Sequence, residues 1–176
     1  MKNSSRPFDT QKREQWLTFV QELSPEADPR AIRLVGQMRA AAQALYRINE
    51  DSLTAAGLSY AKYRLLMSLL FAERFQGTRA LNPSEISEWL GASRNAISGL
   101  IRDLEMDGYI ERTLDKDDRR RFLIGLTAAG RELVREYAGR HFAAVGACFS
   151  QMSVAEQQQL SQLLDKLTNN IMDTTS

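Results

Sequence analysis

Apolar residues recur at steps of three and four along most of the chain, and the exceptions gather in one place. From Thr10 to Leu23, Trp16, Phe19, Val20 and Leu23 share one side of a predicted helix. The Ser-Pro-Glu-Ala-Asp-Pro run at 24–29 interrupts it, and Asp28 with Pro29 opens a longer helix over 29–56. Leu34, Met38, Ala41, Leu45, Ile48 and Ser52 form its seam, and Gly57 ends it. Ser59 opens another helix to about Arg74, carrying Tyr63, Leu66, Met67, Leu70 and Phe71. A helix from Thr127 to about Phe149 is apolar along Leu133, Val134, Tyr137, Val145 and Phe149. Ser153 and Glu156 then make a capping box for a last helix bearing Leu160, Leu163, Leu164, Leu167 and Ile171.

The exceptional region is 82–130. Asn82 can cap a helix whose first residue, Pro83, needs no amide partner, with Glu85 at the capping-box position and Gly91 as the stop. Ser93 caps the next helix, where Ile97, Leu100, Ile101 and Leu104 form the stripe expected to be buried. Arg94, Asn95, Ser98 and Arg102 lie on the other side, and Gly108 closes the helix. The pattern then changes to alternation over Tyr109 to Leu114, a charged tip from Asp115 to Arg121, and a second strand from Phe122 to Leu126. Two short helices followed by a charged hairpin and a long helix make a winged helix-turn-helix. The fold class is therefore mainly α with a small β-hairpin wing, and double-stranded DNA is the first partner to consider.

Composition changes this picture little. The chain has 176 residues, 43% hydrophobic and 26% charged, enough to form one domain's core. Its net charge of +1 requires a DNA reader to concentrate its basic residues locally. The wing does so: Arg112, Lys116, Arg119, Arg120 and Arg121 outnumber Asp115, Asp117 and Asp118. A single cysteine excludes an internal disulfide framework. No signal peptide or membrane-spanning run is visible, so a cytoplasmic protein without membrane partners is expected.

The region resembles the multiple-antibiotic-resistance regulator (MarR) family of winged-helix repressors. The resemblance is carried by LEMDGYIER (Leu104 to Arg112), the wing DRR (Asp118 to Arg120), LTAAG (Leu126 to Gly130) and the eight-residue step from Asp118 to Leu126. It implies one MarR-like domain over 1–176. Within it, 1–28 would be an extension with an added helix, 29–57 and 127–172 dimerisation helices, and 58–126 the DNA-binding part. Physical reasoning agrees, because the flanking helices are too long merely to cover the head and could clasp a second copy; a monomeric helical cap is the alternative. A homodimer would set two heads on successive major grooves, with inverted half-sites about 34 Å apart. The resemblance further implies a repressor released by a small aromatic or phenolic ligand.

The DNA-binding candidates are Ser93, Arg94, Asn95, Ser98 and Arg102 on the second helix. Arginine can grip guanine and asparagine adenine with paired hydrogen bonds, while Arg102, a turn later, could meet a phosphate. On the wing they are Arg119, Arg120 and Arg121, suited to a narrow minor groove, although Arg121 could instead begin the second strand. The resemblance makes Arg120 the wing arginine and Asp118 the acid that orients it. Arg112 is a wing-supporting candidate that would pair with wing acids or touch a phosphate. Two positions depart from the family: Gly99 stands where a basic or polar residue is usual, and Arg102-Asp103 reverses its common order. A mid-helix glycine costs roughly 1 kcal/mol against alanine; close approach of DNA to the backbone would explain it, as would tight packing or chance.

Met38, Tyr46, Tyr60, Tyr63, Arg64, Met67 and Phe71 are candidates for an effector cleft, since rings beside one arginine suit an aromatic acid, although such spacing also marks simple core. In the family's urate-responsive branch an aspartate aligns with Arg64, which argues against urate and leaves Trp16 to pack the added helix. Cys148 raises a cysteine-based redox sensor, but its place among Val145 and Phe149 suits an inert thiol. His141 is expected at an interface or on the surface. No cofactor or metal site is expected from one histidine and one cysteine. Nucleophile-elbow and phosphate-loop motifs are missing, so the chain is not read as an enzyme. A dimeric winged-helix module for protein interaction is the competing class, though an arginine wing suits it poorly.

Overall fold

The computed structural model describes residues 10–78, 80–115 and 121–175. The order is α1 (Thr10–Leu23), α2 (Pro29–Leu53), a single 3-10 turn (Thr54–Ala56), α3 (Tyr60–Phe75), β1 (Ala80–Leu81), α4 (Pro83–Leu90), α5 (Arg94–Met106), β2 (Ile110–Leu114), β3 (Phe122–Leu126), α6 (Ala128–Ala147) and α7 (Val154–Thr175). The chain divides into two compact units, one through Ile48 and one from Asn49 onward.

In the first unit, α1 has the expected bounds and buries Leu17. Arg33 of α2 pairs with Glu14 of α1 at 3.3 Å, and both side chains stay half exposed, so the pair adds little. Asp28 starts α2 as expected: its carboxylate accepts the Arg30 amide at 2.9 Å.

The second unit holds the core. Leu53, Tyr63, Leu65, Leu66, Ile86, Ile97, Leu104, Ile124 and Val134 are all buried there, drawn from α2, α3, α4, α5, β3 and α6. The expected helix over 29–56 stops as an α-helix at Leu53 and tightens into the 3-10 turn, where the Gly57 amide donates to Thr54 at 3.0 Å. Ser59 caps α3 by accepting the Lys62 amide at 3.2 Å, and the Glu50 carboxylate takes the Tyr60 amide at 3.0 Å. The α4 capping box is complete: Asn82 accepts from Ser84 and Glu85, and Glu85 accepts the Asn82 amide at 2.7 Å.

The expected hairpin gains a third strand. β1 pairs antiparallel with β3 (Ala80 opposite Gly125, Leu81 opposite Ile124), giving the order β1-β3-β2. β2 pairs with β3 from Ile110 opposite Leu126 to Leu114 opposite Phe122. Among the described residues this ribbon is buried only at its base, at Ile110, Ile124, Gly125 and Leu126. The wing therefore grows from the core and leaves it.

Candidate nucleic-acid interface

α5 is a helix with two distinct sides. Ile97, Ile101 and Leu104 are buried to 2% exposure or less, which fixes the rotation of the helix about its axis. Arg94, Asn95, Ser98 and Arg102 are consequently exposed. Ser93 is the N-cap, and its hydroxyl accepts the Ala96 amide at 3.3 Å. The Ser98 hydroxyl donates to the Arg94 carbonyl at 2.9 Å, so its proton is engaged and its lone pairs stay available. Arg102 lies 3.8 Å from Asp103 with both side chains largely in solvent, a pair too weak to hold either. Gly99 has nothing within 4 Å of where a methyl would sit, which rules out tight packing as its reason.

The C-terminal end of α5 is fastened to three neighbours. Lys62 of α3 donates to Asp107 at 2.9 Å. Arg112 of β2 meets Glu105, an acid of the recognition helix, at 2.8 Å. Thr127, the α6 cap, donates its hydroxyl to the Gly108 carbonyl at 2.8 Å and its amide to Tyr109 at 3.1 Å. Gly108 takes φ +76°, a conformation glycine adopts without penalty. Gly130, on the first turn of α6, packs so closely that any Cβ would overlap the Tyr109 carbonyl oxygen. Arg131 in turn grips Glu73 of α3 through Nε and Nη2, which raises the basicity of its guanidinium further. Recognition helix, wing base and α6 are thus bonded into one body. Of these braces, Lys62, Glu105 and Asp107 were not singled out by the sequence; only their opposite charges hinted at pairing.

At the wing, Asp118, Arg119 and Arg120 lie outside the described residues. Arg121 precedes β3, which begins at Phe122, and its carbonyl accepts the Asp115 amide at 3.0 Å, closing the ladder at its outer end.

The effector candidates fall in different surroundings. Met38 and Tyr46 belong to the first unit and are exposed. Within the second unit, Arg64 donates to the Leu90 carbonyl at 3.3 Å and lies 5.9 Å from the centre of the Tyr60 ring. Tyr63 is 1% exposed, its hydroxyl has no hydrogen-bond partner among the described residues, and burial raises its pKa. Met67 packs against the core. Phe71 joins a different group, an exposed trio with Phe75 and Trp89 at ring separations of 5.0 and 4.9 Å. A cavity of about 550 Å³ in the first unit lies between α1 and α2, lined by Trp16, Leu17, Ile32, Val35 and Ala40 among others.

One expectation about a single residue changes. His141 is buried, not at the surface, because its ring sits among Tyr60, Tyr63 and Phe142. Cys148 is partly buried, with Sγ 3.3 Å from the Ala144 carbonyl. Among the described residues no cluster of side chains could hold a metal ion, and no helix is long and apolar enough to cross a membrane.

Comparison with known proteins places these features in company. Residues 56–121 match the model of the MarR family. The transcriptional repressor MprA of Escherichia coli strain K12 is 34% identical over 107 residues, which are 61% of this chain and 60% of that protein, so the match spans under two thirds of that relative. Among solved structures, the S. aureus MepR–DNA complex superposes with a TM-score of 0.69 at 25% identity, covering 77% of this chain and 96% of that one. CouR from Rhodococcus jostii RHA1, solved with p-coumaroyl-CoA, gives a TM-score of 0.62 at 27% identity, covering 74% of this chain and 88% of that one.

Proposed function

The chain belongs to the MarR family of DNA-binding winged-helix transcriptional regulators, and on that premise we propose that it is a homodimeric repressor of an inverted-repeat operator, released by a small aromatic or phenolic acid. It is a regulator and not an enzyme, as its named relatives are. The observation that carries the proposal is the exposed face of α5, opposite a stripe buried at Ile97, Ile101 and Leu104 and braced at its far end. Arg94 and Asn95, in the first turn, read base edges in the major groove; Ser98 accepts with its free lone pairs, and Arg102 meets a phosphate. Ser93 presents the helix N-terminus to the backbone, where amides and the helix dipole favour a phosphate. Arg119, Arg120 and Arg121 enter the neighbouring minor groove, with Asp118 orienting them and Arg112 holding the wing to Glu105.

The division of labour follows. Residues 58–126 read DNA, 29–57 and 127–172 join two copies, and 1–28 add a helix. Exposed apolar seams support the dimer: Leu34, Val35 and Met38 on α2, and Leu163, Leu164, Ile171 and Met172 on α7, are each at least 40% exposed in the single chain. A stable dimer would remove these from water. For the effector, the pairing of Arg64 with the Tyr60 ring supports an aromatic carboxylate, and the relative CouR was solved with an aromatic acyl thioester. Tyr63 and Met67 are the further candidates for that cleft within the second unit.

Selection of random duplex DNA by the purified protein tests the proposal. Enrichment of an inverted repeat, bound more weakly as salt rises, is the expected result. Weak, sequence-blind binding, persisting after unfolding and refolding to strip any bound ligand, would overturn it.

A further inference from the structure

One ionisable group is buried where α6 meets the end of α2 and the start of α3, and DNA reading makes no use of it. His141 is the chain's single histidine and is 4% exposed. Its Nδ1 lies 2.9 Å from the Ser52 hydroxyl oxygen. That hydroxyl also lies 2.8 Å from the Asn49 carbonyl and must donate there, because a carbonyl only accepts. A hydroxyl has one proton, so Ser52 meets His141 as an acceptor. The neutral imidazole therefore carries its proton on Nδ1 and leaves Nε2 bare.

The surroundings are aromatic and supply a charged imidazole with no counter-charge. The rings of Tyr60, Tyr63 and Phe142 centre 5.8, 4.9 and 5.3 Å from that of His141. The Tyr63 hydroxyl is itself buried without a partner among the described residues. From α3 the titratable neighbours are Tyr60 and Tyr63. The end of α2 contributes Glu50, engaged by the Tyr60 amide, and the exposed Asp51. α6 contributes Tyr137, which donates to Ala55 at 3.3 Å, and the exposed Arg140. Among the described residues no carboxylate forms an ion pair with His141.

We propose that His141 is a proton-operated latch: neutral, it packs α6 against Ser52 and the aromatic wall of α3; protonated on Nε2, it keeps its Nδ1–H bond to Ser52 but carries a buried charge that no carboxylate among the described residues offsets, so α6 loosens and operator binding weakens in mild acid. The path to DNA is short in bonds. The first turn of α6 holds the end of the recognition helix through Thr127 and Gly108, and Arg131 ties the same turn to Glu73 of α3. A loosened α6 thus loosens the brace on α5. The effect on DNA rests on the function proposed above; the latch itself does not.

The sign follows from burial, which holds His141 below its ordinary value of 6.5. The unfolded chain then takes up the proton first. Stability from the neutral latch is complete above about pH 6.5 and is lost as pH falls toward the folded value.

Affinity for the selected operator, measured by fluorescence anisotropy at constant ionic strength near pH 7.5 and near pH 5.5, tests this in the full chain. Wild type should weaken several-fold more than His141→Gln, whose amide keeps a neutral donor. Parallel weakening of the two proteins would overturn the proposal. Because there is one histidine, its imidazole proton resonance also titrates without ambiguity in wild type, and a midpoint at or above the ordinary value would overturn the latch even if the variant did not fold. If no form binds duplex at either pH, the DNA reading alone has failed. Amide exchange along α6 then decides, expected to rise in acid in wild type only; no rise, or an equal rise in the variant, sinks the latch.

Discussion

The winged part and the terminal helices carry the same apolar spacing and treat it in opposite ways. In the head, Ile86, Ile97, Leu104 and Ile124 are at most 1% exposed, each covered by the chain's own elements. On α7, Leu163, Leu164, Ile171 and Met172 are between 45% and 63% exposed, and Leu34 and Val35 on α2 nearly 60%. Periodicity states that a helix has an apolar face and says nothing about what covers it. The head satisfies its pattern alone. The long helices leave theirs in water, as a surface made for another copy would.

Cutting into the head gives the largest effect. Leu104→Ala removes a wholly buried side chain and should cost about 2–5 kcal/mol of stability, read as a lower denaturation midpoint with an unchanged m-value. A loss below 1 kcal/mol would mean that the head is not a packed unit. Charging the other region instead, with Leu163→Asp and Leu164→Asp together, should leave the fold intact. It should split the proposed dimer in sedimentation and reduce operator affinity about a hundredfold or more, since two heads would no longer share one duplex. A monomeric wild type would break the comparison outright.

Finer changes sharpen it within the reading helix. Arg94→Ala should weaken the preferred operator about ten- to hundredfold while sparing random duplex, whereas Arg102→Ala should weaken both alike and flatten the salt dependence. Equal loss on both duplexes for Arg94→Ala would remove it from base reading. The smallest effect is expected from Gly99→Ala, which has space for the methyl and should stabilise the protein by about 1 kcal/mol. Weaker operator binding by this more stable protein would show that DNA approaches the backbone there; tighter binding would exclude it.

Features written in local chemistry were legible in the sequence. The α4 capping box, the Ser59, Ser93, Thr127 and Ser153 caps, and the limits of α1 follow from residues within one turn of each other. What depends on distant partners was not. β1 is two residues long, too short to alternate, and exists because Ala80 and Leu81 find Gly125 and Ile124. Arg112 pairs with Glu105 because β2 starts beside the end of α5. His141 looked like a surface or interface residue from its neighbours in sequence, yet Ser52 and the tyrosines of α3, some eighty residues earlier, enclose it. The exposed face of α5 was readable, since the buried stripe dictates it; the braces that aim that face were not.

The central claim is that two copies read one duplex through paired recognition helices. Footprinting the selected operator, with the stoichiometry of the same complex measured by sedimentation, tests it most directly. Two chains per duplex and two protected major-groove stretches about one turn, or 34 Å, apart are the predicted result. One chain on a single protected stretch would contradict it.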